Sequence, residues 1–141
     1  MRVIFDTNVL ISAFITTQGM ASRVLLRSLE EHEVCLSEYI LNEFRERLAN
    51  KFRYPPGLID LFLRFLSVRA QILQEETSPS YVHFSDPKDI PILKLLETGD
   101  AHYFVTGDKK LLDLKKHKQT LILSLREALE RGEALRDEVL R

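Results

Sequence analysis

The stretch MRVIFDTNVLISAF, residues 1–14, decides the fold. Val3, Ile4 and Phe5 are a short apolar run of strand-forming residues. The run is too brief for a helix and does not alternate, as expected of a strand buried on both faces. Asp6 follows at once, then Thr7, Asn8 and a second apolar stretch. A carboxylate where a buried strand ends has poor access to water, which is costly unless something positive meets it. In open α/β sheets, ligands bind outside the carboxyl ends of the strands. Asp6 therefore reads in two ways, as a turn residue capping the next helix or as the first ligand of a site.

Length and composition set the frame for that choice. A chain of 141 residues is expected to form one domain over 1–141, burying about two-thirds of the surface its unfolded form exposes. Its 45% hydrophobic and 29% charged residues are ordinary for a globular protein. No apolar run approaches the roughly 20 residues of a membrane span, so no membrane partner is expected. The opening MRVIFD turns acidic too early for a signal peptide, and a cytoplasmic location is expected. The single Cys35 rules out an internal disulfide and reads as a small buried apolar residue. A net charge of -1 gives no global attraction for nucleic acid, so such binding requires a local patch. No repeat, low-complexity tract or linker interrupts the chain.

Downstream, strand and helix signals alternate. Residues 16–19 read as a loop and 20–31 as a helix. Glu33 to Leu36 is a short strand, and Ser37 is a good N-cap for a helix with Ile40, Leu41, Phe44, Leu48 and Phe52 on one stripe. Pro55, Pro56 and Gly57 break it. Leu58, Leu61, Phe62, Phe65 and Leu66 then mark the inner face of a further helix. Gln71 to Leu73 is a weak strand, 77–86 a polar loop, and Asp89 to Thr98 a helix with Ile92, Leu93 and Leu96 facing in. Tyr103 to Thr106 and Thr120 to Leu123 are buried strands. The last helix opens at Ser124, with Glu127 completing a capping box and Leu125, Ala128 and Leu129 turned inward. Strands separated by helices imply a parallel sheet with right-handed crossovers, hence a three-layer α/β/α sandwich.

Four acids fall where such a sheet gathers them. Asp108 follows strand 103–106 as Asp6 follows the first strand, so both point at one sheet edge. If the two strands are neighbours, the carboxylates are within reach of each other. Glu43 lies near the start of a helix that begins at that edge. Asp89, three residues after Asp86, opens the helix feeding strand 103–106. Such a cluster repels itself unless a cation neutralises it, and ligation by oxygen alone suits Mg²⁺ or Mn²⁺ rather than zinc. Each acid also has a plainer reading. Asp6, Asp89 and Asp108 are all placed to cap helices, and Glu43 to pair with Arg47 one turn on. The coincidence of Asp6 and Asp108 on equivalent strand ends favours a site.

The blocks VIFDTNVLISAF, LSEYILNEF and DPKDIPILKLLETGDAHYFVTGDKKLL resemble those of the PIN domain. They are most similar to the small prokaryotic PIN proteins grouped as toxin components of toxin–antitoxin systems, the VapC-like ribonucleases. The resemblance runs from residue 1 to about residue 130. It implies a parallel five-stranded sheet and a metal-dependent ribonuclease site. Asp6, Glu43, Asp89 and Asp108 would be the catalytic and metal-ligating acids, Asn8 and Thr106 polar supports, and Asp86 an accessory ligand. Lys94, Leu95 and Leu96 depart from the family's small alanines there, a matter of helix packing. Also implied are an RNA substrate, a small antitoxin partner and a homodimer or larger assembly.

The corresponding chemistry is phosphodiester hydrolysis assisted by one or two Mg²⁺ or Mn²⁺ ions. Arg45, Arg47, Lys51 and Arg53 beside Glu43, Lys88 beside Asp89, and Lys109 and Lys110 beside Asp108 are placed to meet RNA, while Lys115 to Lys118 reads as surface. Two alternatives stay open. A phosphoaspartate enzyme of the haloacid dehalogenase type also begins with an Asp after its first strand, but requires a second acid where this chain has Asn8. A non-catalytic RNA- or protein-binding PIN domain is the other.

Overall fold

A computed structural model describes residues 1–16, 18–74 and 86–140, with side chains described through Gly132. Strand β1 (Arg2–Phe5) leads into α1 (Thr7–Ile15), α2 (Met20–Glu31), β2 (Glu33–Ser37), α3 (Glu38–Asn50), α4 (Pro56–Arg69) and β3 (Gln71–Leu73). A single 3₁₀ turn at Pro87–Asp89 precedes α5 (Ile90–Thr98), β4 (Tyr103–Val105), α6 (Lys109–Leu114), β5 (Lys116–His117), β6 (Thr120–Leu123) and α7 (Leu125–Leu140). Apart from Asp86, the loop expected at 77–86 lies outside the described residues.

The strands form one sheet in the order β3-β2-β1-β4-β6-β5. Five are parallel, as expected. The sixth corrects the expectation: β5 pairs antiparallel with β6. Lys116 and His117 carry no apolar signal, and they enter the sheet because Lys115 and Lys118 adopt positive φ values of 61° and 52° that fold the chain back. Helices cover both faces. Alternation along β1 puts Val3 and Ile4 on opposite sides. On Val3's side, residues of α2 and α7 close over Val3, Tyr103, Val105 and Leu123. On the other, Gly99 at the end of α5 sits so close to Ile4 and Leu73 that an added Cβ would collide with the Leu73 side chain and the Leu95 carbonyl.

The shared core explains the expected helix faces and one exception. Ile4, Phe5, Leu10, Leu36, Ile40, Phe44, Leu48, Leu96 and Phe104 are fully buried, as is Cys35. In α4 the buried residues are Ile59 and Leu66, whereas Leu58 and Leu61 are 37% and 58% exposed. Phe14 packs against this region, meeting Phe44 and Phe65 edge-on and Phe62 at a tilt, with ring centroids 5.4, 5.9 and 4.7 Å away. Phe52, placed on the α3 stripe by spacing, lies past the helix end and is also 37% exposed. The capping box at α7 forms as read, with Ser124 N donating to Glu127 Oε1 and Glu127 N to Ser124 Oγ.

The order of the strands matters most for function. The chain builds β1, β2 and β3 outward in one direction, then returns to place β4 on the other side of β1. The crevice at such a reversal is where doubly wound sheets bind ligands. Here it opens between the carboxyl ends of β1 and β4.

Candidate functional site

Phe5 pairs with Val105 across β1 and β4, and Asp6 N donates to Val105 O at 2.9 Å. Asp6 and Thr106 therefore leave the sheet side by side. Asp6 takes the capping role and faces the crevice. It is the N-cap of α1, with Oδ1 accepting from Thr7 N at 2.8 Å, and it lines a cleft of about 420 Å³. Oδ2 accepts from the Thr106 hydroxyl at 2.6 Å, and Thr106 Oγ1 in turn accepts from Asp108 N at 3.0 Å. Asp108 caps α6 through Lys110 N.

The same cleft is lined by Asn8, Tyr39, Glu43, Arg47, Asp86, Lys88, Asp89, Ile92, Gly107 and Asp108. All four expected acids are thus gathered on one opening, with the accessory Asp86 and Asn8, and with Thr106 buried beneath Asp6. The basic residues divide. Arg47 and Lys88 line the cleft. Lys110 meets Asp86 Oδ2 at 3.1 Å. Arg45 bonds Asn42, and Lys51 sits over the Phe52 ring. Arg45, Lys51, Arg53 and Lys109 do not line the cleft.

Glu43 makes the ion pair its spacing predicts and also lines the cleft. Its Oε2 pairs with Arg47 Nη2 at 2.9 Å, the expected helical pair, while Oε1 accepts from the Thr7 hydroxyl at 2.8 Å. Arg47 Nη1 reaches on to Asn8 Oδ1 at 2.7 Å. Asp89 behaves differently. It sits at the start of α5 but makes no side-chain cap bond, and its Oδ2 is buried without a hydrogen-bond partner. Asp86 caps the preceding 3₁₀ turn, accepting from Lys88 N at 3.1 Å.

Electrostatics separate these acids. Burial raises the Asp6 carboxyl above its ordinary range, against the hydrogen bonds from Thr106 and Thr7, with Glu43 adding to the rise. Asp89 is also raised, first by burial and then by Asp108, Asp86 and Asp6. Asp86 is lowered, by the Lys88 backbone N–H and by Lys110. Among the described residues no Lys or Arg pairs with Asp6, Asp89 or Asp108.

These groups suit a hard divalent cation. The donors are all oxygen, three carboxylates lack a cation, and one buried carboxylate oxygen is unpartnered. As the side chains stand, no three His, Cys, Asp or Glu residues among those described converge closely enough to grip an ion. Several of the oxygens are turned to Thr7, Thr106 and Arg47.

A PIN domain family model matches residues 2–110. The chain belongs to the PIN domain family. Among solved structures, the PIN fold here is similar to that of VapBC2 from Rickettsia felis, determined bound to a DNA fragment from its promoter. The two share 15% sequence identity at a TM-score of 0.65, over 88% of this chain and 98% of that one. No curated protein matches the chain.

Spacing did not single out Tyr39, Ile92 or Gly107 as cleft residues. Tyr39 had a signal, since it lies one helical turn before Glu43 on α3 and so shares its face. Burial raises its phenol, and Glu43 adds to the rise. Ile92 was readable only as a core residue, and Gly107 only as a turn.

Proposed function

We propose that this PIN domain is an endoribonuclease that hydrolyses RNA phosphodiester bonds with one or two Mg²⁺ or Mn²⁺ ions, and that it is the toxin of a toxin–antitoxin pair. The observation that carries the reading is the trio Asp6, Asp89 and Asp108. These are carboxylates at the switch-point cleft, free of cation partners, with two of them held protonation-prone by burial. Uncompensated charge of this kind is costly to fold around and clusters at functional sites.

Asp6, Asp89 and Asp108 would hold the ion, with Glu43 completing the set and Asp86 an accessory. The chemistry such an ion supplies is activation of water for attack at phosphorus and neutralisation of charge on the phosphoryl oxygens. The rest belongs to the chain. Thr7 N and the Thr106 hydroxyl fix the Asp6 carboxylate before anything binds. Thr106 also holds the backbone at Asp108, so the ends of β1 and β4 keep one spacing. Lys88 and Arg47 present positive charge to an anionic backbone entering a cleft rich in acids. The Thr7 hydroxyl donates to Glu43 and so holds that carboxylate toward the cleft.

Cleavage of labelled RNA with Mn²⁺ or Mg²⁺, compared with EDTA and with Asp6→Asn, tests the reading. Loss of cleavage in both is expected, and undiminished cleavage by Asp6→Asn would remove the site. The phosphoaspartate alternative lacks its second acid at Asn8, whose side-chain oxygen accepts from Arg47. Turnover of a small phosphoester, inhibited by beryllium fluoride, would support it. RNA binding without turnover or metal dependence would support the non-catalytic alternative.

An antitoxin partner is supported by the VapBC2 likeness, a homodimer or larger assembly by the exposed Leu26, Leu61 and Val68. A single PIN domain over 1–141 is supported by the one core shared from β1 to α7. A cytoplasmic location is part of the same reading. Among the described residues no single helix is long and apolar enough to cross a membrane. Copurification with the product of a neighbouring gene and light scattering test the two assemblies.

A further inference from the structure

We propose that Arg47 is a displaceable internal counter-ion. It occupies Glu43 in the cation-free site, and a divalent ion taking up Glu43 releases the guanidinium to the substrate phosphate. The proposal rests on the nuclease reading above and assigns Arg47 two successive partners.

The acids of the cleft are unequal in a way their number conceals. Glu43 has both oxygens engaged, one by the Thr7 hydroxyl and one by a full positive charge on Arg47. Asp6, Asp89 and Asp108 have no such charge paired with them. A cation approaching those three displaces no ion-paired partner, whereas one approaching Glu43 meets the paired guanidinium, and two positive charges on one carboxylate repel. Glu43 therefore joins a metal shell only as Arg47 leaves. Arg47 hangs from α3, which is anchored by the buried Ile40, Phe44 and Leu48. Its side chain is 38% exposed, so the guanidinium has solvent-facing conformations available.

The second partner follows from shape. Arg47 already uses its guanidinium as a fork, one prong to Glu43 and the other to Asn8. A planar fork of this kind matches two oxygens of a phosphate as well as it matches a carboxylate and an amide. Arg47 stands on the wall of the cleft that the substrate phosphate would enter. Metal loading and substrate affinity are thereby linked through one side chain.

The experiment is a double-mutant cycle read by calorimetric titration of Mn²⁺ into the wild-type protein, Arg47→Met, Glu43→Gln and the double variant, without RNA. Arg47→Met is expected to bind Mn²⁺ about tenfold more tightly. That gain is expected to vanish in the Glu43→Gln background, since the competition is for that carboxylate. Arg47→Lys, which keeps the charge and the helix, is expected to stay near wild-type affinity. At saturating Mn²⁺, Arg47→Met is expected to raise KM for RNA more than it lowers kcat. Unchanged or weaker Mn²⁺ binding by Arg47→Met overturns the proposal. So does a gain of the same size in the double variant over Glu43→Gln alone, which would mark a general field effect. Absence of Mn²⁺ binding by all four proteins removes the nuclease reading and the proposal together, whereas the other two outcomes leave that reading standing.

Discussion

The Thr106 hydroxyl donates to Asp6 Oδ2 at 2.6 Å while accepting from Asp108 N at 3.0 Å. One buried side chain thus joins the carboxyl ends of β1 and β4 and orients the acid at the head of the site. Because Thr106 is fully buried, its removal leaves a donor and an acceptor without compensation. Thr106→Val is expected to lower stability by about 1–3 kcal/mol, read as a shift in urea midpoint at constant slope. Thr106→Ser should recover most of the loss. Equal stability of the Val variant would mean that water replaces the hydroxyl.

Asp89 predicts the opposite sign. Burial raises its folded pKa above the ordinary 3.8, so the folded state binds its proton more tightly than the unfolded chain does. The contribution to stability is therefore fully present below the unfolded value and is lost as pH rises through the folded value. In EDTA at pH 7, Asp89→Asn should be more stable than wild type by roughly 0.5–1 kcal/mol, and the advantage should disappear as pH falls below about 4. Thermal melts across that range decide it. An advantage independent of pH would assign the effect to packing instead.

Asp86 and Asp89 lie three residues apart and line one cleft, yet their partners rank them differently. Asp86 is paired with Lys110 and with the Lys88 backbone N–H, and its carboxyl is lowered. Asp89 has an oxygen with no partner. In Mn²⁺-dependent RNA cleavage, Asp89→Asn is expected to cost about 100-fold or more in kcat, the scale of losing a group that acts on the reacting centre. Asp86→Asn should cost about tenfold or less on the same scale. Rate measurements at saturating Mn²⁺ would reverse the ranking if Asp86 were the ligand.

Phe44 connects the core to the cleft. It is fully buried in α3 one residue after Glu43, and it meets Phe14 edge-on. Phe44→Ala is expected to destabilise the fold by about 3–5 kcal/mol, by denaturant titration, whereas Phe44→Leu should cost less than half as much. A small loss in the Ala variant would show that α1 and α4 collapse into the space.

Much of this was legible in local pattern. The strand at Val3–Phe5, the caps at Asp6, Ser37, Asp108 and Ser124, and the inward faces of α3 and α5 depend on propensity, spacing and neighbours within a few residues. Local physics sets those, so one dimension suffices. The DTN and TGD blocks likewise marked Asp6 and Asp108 as strand-end acids.

Other features required the folded chain. That β1 and β4 are neighbours follows from the reversal of strand order, a choice among packings that no single segment encodes. β5 arose from two positive-φ lysines and a pairing partner, and the packing of α4 buries Ile59 and Leu66 while Leu58 and Leu61 face outward. Most of all, sequence left Asp6 between cap and ligand and Glu43 between ion pair and ligand. Tertiary structure showed that both keep their local contacts and yet line one cleft, because the strand order brings their distant segments together. One set of contacts holds each acid in place while the side chain still faces the cleft.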